Sequence, residues 1–243
     1  MRIAFDMDGV LADLHHPFVQ TALRLFPDLD ETSVQAPDVG ASPPDRQGDT
    51  PKPDALQTPV QVVLSARQSD AVWRHLSATE NFWESLAEIE PGALARLARL
   101  ADERRWEVIF ITSRPESAGQ TVQRQTQRWI QARGFPLPSV FVVHGSRGRI
   151  ADALRLDIVV DDRPDNCLDV VLESKAGAIL VWRGAEGTVP ASSRRLGIGV
   201  VPTVDAGLAA LVEAEQHSSE GGLVDRLRKL LGLSAKTARS RGR

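Results

Sequence analysis

Two acidic residues near the start of the chain, Asp6 and Asp8, stand two apart at the end of a short apolar run. They lie in the stretch FDMDGVLAD, from Phe5 to Asp13. An apolar run that ends in two carboxylates and a glycine reads as a buried strand opening into a loop. Carboxylates held that close repel, and they stay ionised together only beside a cation. The pair therefore asks for a hard cation such as Mg²⁺, which takes one or two carboxylates and keeps several waters.

Three further polar groups stand at the ends of apolar runs. Thr112 closes Ile109–Phe110–Ile111 and is followed by Ser113 and Arg114. Asp161 and Asp162 close Ile158–Val159–Val160. Between them, Arg147 and Arg149 stand where a helix begins, in HGSRGRIADALRLD. As a set these groups make chemical sense. Four carboxylates are too many for a dry site without a cation, and a phosphate dianion adds more negative charge. Mg²⁺, a basic side chain, a hydroxyl and helix N-termini would offset it. One carboxylate can attack phosphorus. A second can protonate the leaving oxygen and later deprotonate water.

The elements that must position these groups follow from periodicity. Val108–Ile111, Val140–Val143, Ile158–Val160 and Ala178–Trp182 read as buried strands. Helices are expected over Leu14 to Phe26, around Val72–Leu76 with Ser69 as its N-cap, and after Pro91 with Leu94 and Leu97 facing the core. Further helices are expected after a Ser117/Gln120 capping box up to Gly134, over Arg149 to Leu156, and after Pro164. Strands and helices alternating at this spacing give an α/β fold with a parallel sheet covered on both faces. Its ligands bind beyond the carboxyl ends of the strands. Residues 198–204 suggest an edge strand, since Pro202 is unsuited to a central one.

The chain divides by composition. Residues 1–13 and 106–205 carry the strands and form the expected core. Residues 14–105 form an inserted helical cap, and the proline-rich stretch 30–59 within it reads as a mobile insert. Residues 206–243 give an amphipathic helix (Leu223, Leu227, Leu230, Leu231) and a basic tail.

The totals exclude several classes. At 243 residues there is ample material for a core. A formal net charge of −3 leaves no overall footprint for nucleic acid, so any such partner would have to use the basic tail. No run approaches the ~20 apolar residues of a membrane span. One cysteine, Cys167, excludes an internal disulfide and a cysteine-rich zinc site; it reads as a small core residue. A cytoplasmic address is the expectation.

The four motifs, in this order, resemble those of the haloacid dehalogenase (HAD) superfamily of phosphohydrolases: D-x-D-G-V, an apolar strand with Thr, a basic residue, and an apolar strand with Asp-Asp. The resemblance spans Phe5 to Asn166. It implies a Rossmann-like core with a small helical cap inserted after the first strand. It implies a Mg²⁺-dependent phosphatase acting on a small phosphorylated metabolite through an aspartyl-phosphate. Asp6 would be the nucleophile and a metal ligand. Asp8 would be the general acid/base, its carbonyl also reaching the metal. Thr112, with Ser113 as substitute, would hold the phosphoryl group. Asp161 and Asp162 would hold the metal, with Asn166 orienting them. The family usually has lysine at its third motif; here Arg147 or Arg149 takes that place, and Arg147 fits the spacing better. Arg114 is a further candidate for the phosphate.

The first-position insert, the FW-x-x-L and EPGAL runs and DDRP-x-N are similar to the 5′(3′)-deoxyribonucleotidase branch. That points to nucleoside monophosphates, with a sugar phosphate as the alternative. Trp73, Phe82 and Trp83 have two readings, a stacking surface for a base or the lid's own small core. A phosphate- or nucleotide-binding module without turnover is the contrasting class, supported by the missing lysine.

Overall fold

Six apolar runs form one sheet in a computed structural model of the chain, which describes residues 1–29, 64–216 and 222–232. The strands are β1 (Arg2–Asp6), β4 (Glu107–Thr112), β5 (Ser139–Val142), β6 (Ile158–Asp161), β7 (Gly177–Val181) and β8 (Gly199–Val201). Their order is β5-β4-β1-β6-β7-β8 and every pairing is parallel. The expected fold class is the one observed. The chain winds outward from β1 through β4 to β5, then returns to β6 on the other side of β1. That reversal makes the carboxyl ends of β1 and β6 the topological switch point, where open α/β sheets hold their ligands.

Alternate residues of each strand serve opposite faces, as the pleat requires. Ile3, Phe5, Phe110, Ile158, Val160, Ile179 and Val181 enter one core. On that face lie α3 (Ala93–Arg104), α4 (Val122–Ala132) and α8 (Val204–Gln216), which contribute Leu94, Leu97, Trp129, Leu208 and Leu211. Ala4, Ile111, Val159, Ala178 and Leu180 enter the other, under α5 (Arg147–Ala153) and α6 (Pro164–Glu173). The short α7 (Ala191–Arg195) packs against α6. Helix α8 thus packs on β7 and β8, and α3 packs against it.

The insert leaves the core at β2 (Ala12–Asp13) and returns at β3 (Ala87–Glu88). The two pair antiparallel, Ala12 opposite Glu88 and Asp13 opposite Ala87. Between them lie α1 (His15–Leu25), α2 (Ala66–Ala78) and a 3₁₀ turn, Phe82–Glu84. The proline-rich stretch 30–59 falls outside the described residues.

Several helix starts differ from expectation. The α2 cap is Ser65, in a reciprocal capping box with Gln68, so the helix begins before Ser69. Thr121, not Ser117, caps α4, because Gly119 bends the chain at φ +95° and the Ser117 hydroxyl is taken by Gln125. Pro91 lies just ahead of the α3 cap, Gly92, at φ +80°. Pro164 is at the first position of α6 and Pro202 follows edge strand β8, as expected. The last described helix, α9 (Leu223–Leu230), docks on its own core. Leu227 is buried, Leu231 sits against Gly199, and Arg228 Nε donates to the Gly197 carbonyl at 3.2 Å. The basic residues 233–243 lie outside the described part. Among the described residues no helix is long and apolar enough to cross a membrane.

Helices α5 and α6 meet backbone to backbone at Gly148. A β-carbon there would overlap the Asp169 carbonyl and the Glu173 side chain. Gly148→Ala is therefore expected to lower stability by about 1–3 kcal/mol despite alanine's better helix propensity. Urea unfolding measures this, and an unchanged midpoint would contradict the close packing.

Candidate active site

Asp6 ends β1 opposite Ile111, one residue before Thr112 in the neighbouring strand. Asp161 ends β6 on the other side of β1. Parallel register thus carries groups far apart in sequence to one edge of the sheet. Asp8 follows in a tight loop in which Leu11 and Ala12 both donate backbone N–H groups to the Met7 carbonyl. Gly9 turns this loop at φ +84°, and a β-carbon there would overlap the Asp162 carboxylate. Both the left-handed backbone and the approach of Asp162 demand glycine at position 9.

Arg147 reaches this edge from the start of α5. The Ser146 hydroxyl accepts from the backbone N–H of Gly148 and Arg149, which fixes the phase of the first turn. Arg147 consequently points inward and is buried, while Arg149 is exposed. Its Nη2 donates to Asp6 Oδ1 at 2.9 Å and to the Ser113 hydroxyl at 3.1 Å. Its Nε lies 3.7 Å from Asp161 Oδ2. Nη1 and Nε are buried yet make no hydrogen bond among the described residues. Asp161 accepts from Asn166 Nδ2 at 3.1 and 3.0 Å and from the Arg163 backbone N–H at 2.9 Å.

These environments shift the carboxyls. Burial, then repulsion from Asp161, push Asp6 well above the usual carboxylate range. Arg147 opposes this, while Asp162 and Asp8 add to it. Burial also raises Asp161, against the pull of Arg147, Arg163 and Asn166. Cys167 is buried behind Asp161; burial, then the nearby acids, push its thiol up, leaving a small core residue with little nucleophilic character.

Arg114 turns toward Asp8. Its Nε donates to both Asp8 oxygens at 3.1 and 2.8 Å, and Nη2 donates to Oδ1 at 2.7 Å. Nη1 donates to the Thr126 hydroxyl at 3.0 Å. The side chain is fully buried. Sequence reasoning, which assigned this arginine to a phosphate, missed Asp8 as its partner. Thr112 is buried and its hydroxyl accepts from the Arg114 backbone N–H at 3.3 Å.

Among the other candidates, His15, His16, His75 and His144 are exposed. Phe82 and Trp83 are buried and meet edge to face at 4.9 Å; Trp73 packs on Phe18 at 5.5 Å. These rings pack on one another within the insert, and Trp83 also lies against Arg114. Among the described residues no three His, Cys, Asp or Glu side chains are grouped as a ready metal site. Arg147 stands between Asp6 and Asp161.

No protein-family model matches the chain, and no curated protein does. Solved structures do. A hydrolase from Pseudomonas syringae aligns over 88% of this chain and 99% of its own, with TM-score 0.49 and 16% identity. A protein assigned as a beta-phosphoglucomutase from Thermotoga maritima aligns over 87% of this chain and 98% of its own, with TM-score 0.49 and 16% identity. A HAD hydrolase of family IA, variant 3, from Entamoeba histolytica aligns over 93% and 99%, with TM-score 0.45 and 14% identity.

Proposed function

We propose that this chain is a phosphomonoester hydrolase of the HAD type, acting through an aspartyl-phosphate on Asp6. The observation that carries the reading is Arg147. It is a buried guanidinium bonded to Asp6 and Ser113, its Nε facing Asp161 at 3.7 Å and its Nη1 without a hydrogen bond among the described residues. A buried donor without a partner is costly, so such atoms mark where an acceptor belongs. A phosphoryl group is such an acceptor, and arginine binds it in a planar fork.

In this reading Arg147, Ser113 and Thr112 hold the phosphoryl oxygens. An Asp6 oxygen attacks phosphorus as the ester P–O bond breaks, and Asp8 gives its proton to the leaving oxygen. Asp8 then takes a proton from water, which attacks phosphorus and frees phosphate and Asp6. The candidate ligands at this edge are carboxylate and carbonyl oxygens, the hard donors that Mg²⁺ takes, and the neighbouring acids raise the Asp6 pKa. In this reading Asp6, Asp161, Asp162 and the Asp8 carbonyl would hold Mg²⁺, whose charge would join that of Arg147 in keeping Asp6 ionised. The insert between β2 and β3 is the proposed lid.

The proposed substrate class is a nucleoside monophosphate. Burial of Phe82 and Trp83, at 4% and 1% exposure, removes two candidate base platforms. This favours a second reading, another small ester such as a sugar phosphate. A panel of both classes with Mg²⁺, read by phosphate release, tests these. Release from either class, absent in Asp6→Asn, supports hydrolysis and selects the substrate. No release above Asp6→Asn from any ester would leave a phosphate-binding module instead.

A further inference from the structure

We propose that Arg114 is a positioning residue for Asp8, clamped from the insert, so that the insert aims the acid/base; this rests on the reading of Asp8 above. The two arginines of the site are built differently. Arg147 keeps its buried Nη1 without a hydrogen bond among the described residues. Arg114 spends Nε and Nη2 on Asp8 and Nη1 on Thr126. A planar fork on one carboxylate fixes its rotation as well as its place.

Arg114 is in turn held by the insert. Its guanidinium lies 4.7 Å from the centre of the Trp83 ring. Trp83 sits in the 3₁₀ turn, which is stitched to the loop carrying Arg114. Trp83 Nε1 donates to the Pro115 carbonyl at 3.0 Å, and the Trp83 backbone N–H to Gln125 Oε1 at 3.1 Å. Asn81 Oδ1 accepts from the Gln120 N–H at 2.9 Å, and the Asn81 N–H donates to the Ala118 carbonyl at 2.8 Å. Ala118 N–H reaches back to the Ser77 carbonyl at 2.8 Å. The end of α2, the turn and the 114–121 loop are thus one bonded unit. Its contact with the chemistry is the Arg114 fork on Asp8.

A residue that acts through the proton donor affects substrates unequally. An alkyl leaving group needs the proton; p-nitrophenolate does not. Arg114→Lys keeps the charge and loses the fork. With Mg²⁺, it is expected to lower kcat/KM on glycerol 2-phosphate at least about tenfold more than on p-nitrophenyl phosphate. In an Asp8→Asn background the same change is expected to cost less than about twofold, because the partner is already gone. Thr126→Val removes only the Nη1 anchor and should give a smaller loss of the same leaving-group dependence, which keeps the test open if Arg114→Lys does not fold. Equal losses on both esters, or full additivity with Asp8→Asn, would overturn the positioning role while leaving the hydrolase reading intact. A parent chain that releases phosphate from neither ester would overturn both.

Discussion

Arg147→Ala is expected to cost the fold about 3–5 kcal/mol and to abolish turnover, because it leaves buried carboxylates without their cation. Arg147 is 4% exposed and lies against both Asp6 and Asp161. Burial alone already raises both acids, and Arg147 is a group that opposes this in each. Arg147→Lys keeps the charge, but a single ammonium cannot at once reproduce the Nη2 bonds to Asp6 and Ser113 and the approach of Nε to Asp161. An intermediate loss is expected. Arg149→Ala, two residues on and exposed, serves as the control and should stay within about 0.5 kcal/mol of the parent. Urea unfolding of the three variants checks this. Equal midpoints for Arg147→Ala and Arg149→Ala would contradict the assignment.

The second large effect is on stability against pH. Asp6 and Asp161 titrate higher in the fold than in the unfolded chain. A carboxyl raised in this way contributes stability that is complete below its unfolded pKa and is lost as pH rises through the folded one. Without metal, the contribution of these two groups should therefore fall from acid toward neutral pH. Asp6→Asn removes the group with the larger upward push. Its melting temperature should exceed the parent's by a gap that widens as pH rises, measured in EDTA. Added Mg²⁺ should narrow the gap by stabilising the parent. A gap that stays constant with pH would mean that Asp6 is not held up by its surroundings.

Much of this site could be read before the fold was known, for a definite reason. In a parallel sheet the carboxyl ends of all strands share one edge. A polar residue that ends an apolar run is therefore already placed, and Asp6, Thr112 and Asp161 were legible that way. The choice between Arg147 and Arg149 rested on motif spacing alone, which favours Arg147; no local pattern shows which of the two points inward. Two residues apart on a helix point to nearly opposite sides, and the phase depends on Ser146 as cap. The pairing of Arg114 with Asp8 left no trace in spacing, since 106 residues separate them. The Ser117/Gln120 pair matched a capping box by composition. Gln125 and Gly119 displaced it through contacts that no local pattern records. Contacts made by strand register are legible; those made by single side chains across loops are not.

The central claim is that Asp6 takes the phosphoryl group. Radiolabelled p-nitrophenyl phosphate, mixed with protein and Mg²⁺ and quenched in acid during turnover, measures it directly. The expected result is label on the peptide holding Asp6 in the parent, and none in Asp6→Asn. Turnover with no label on that peptide, or with label on another residue, would contradict it.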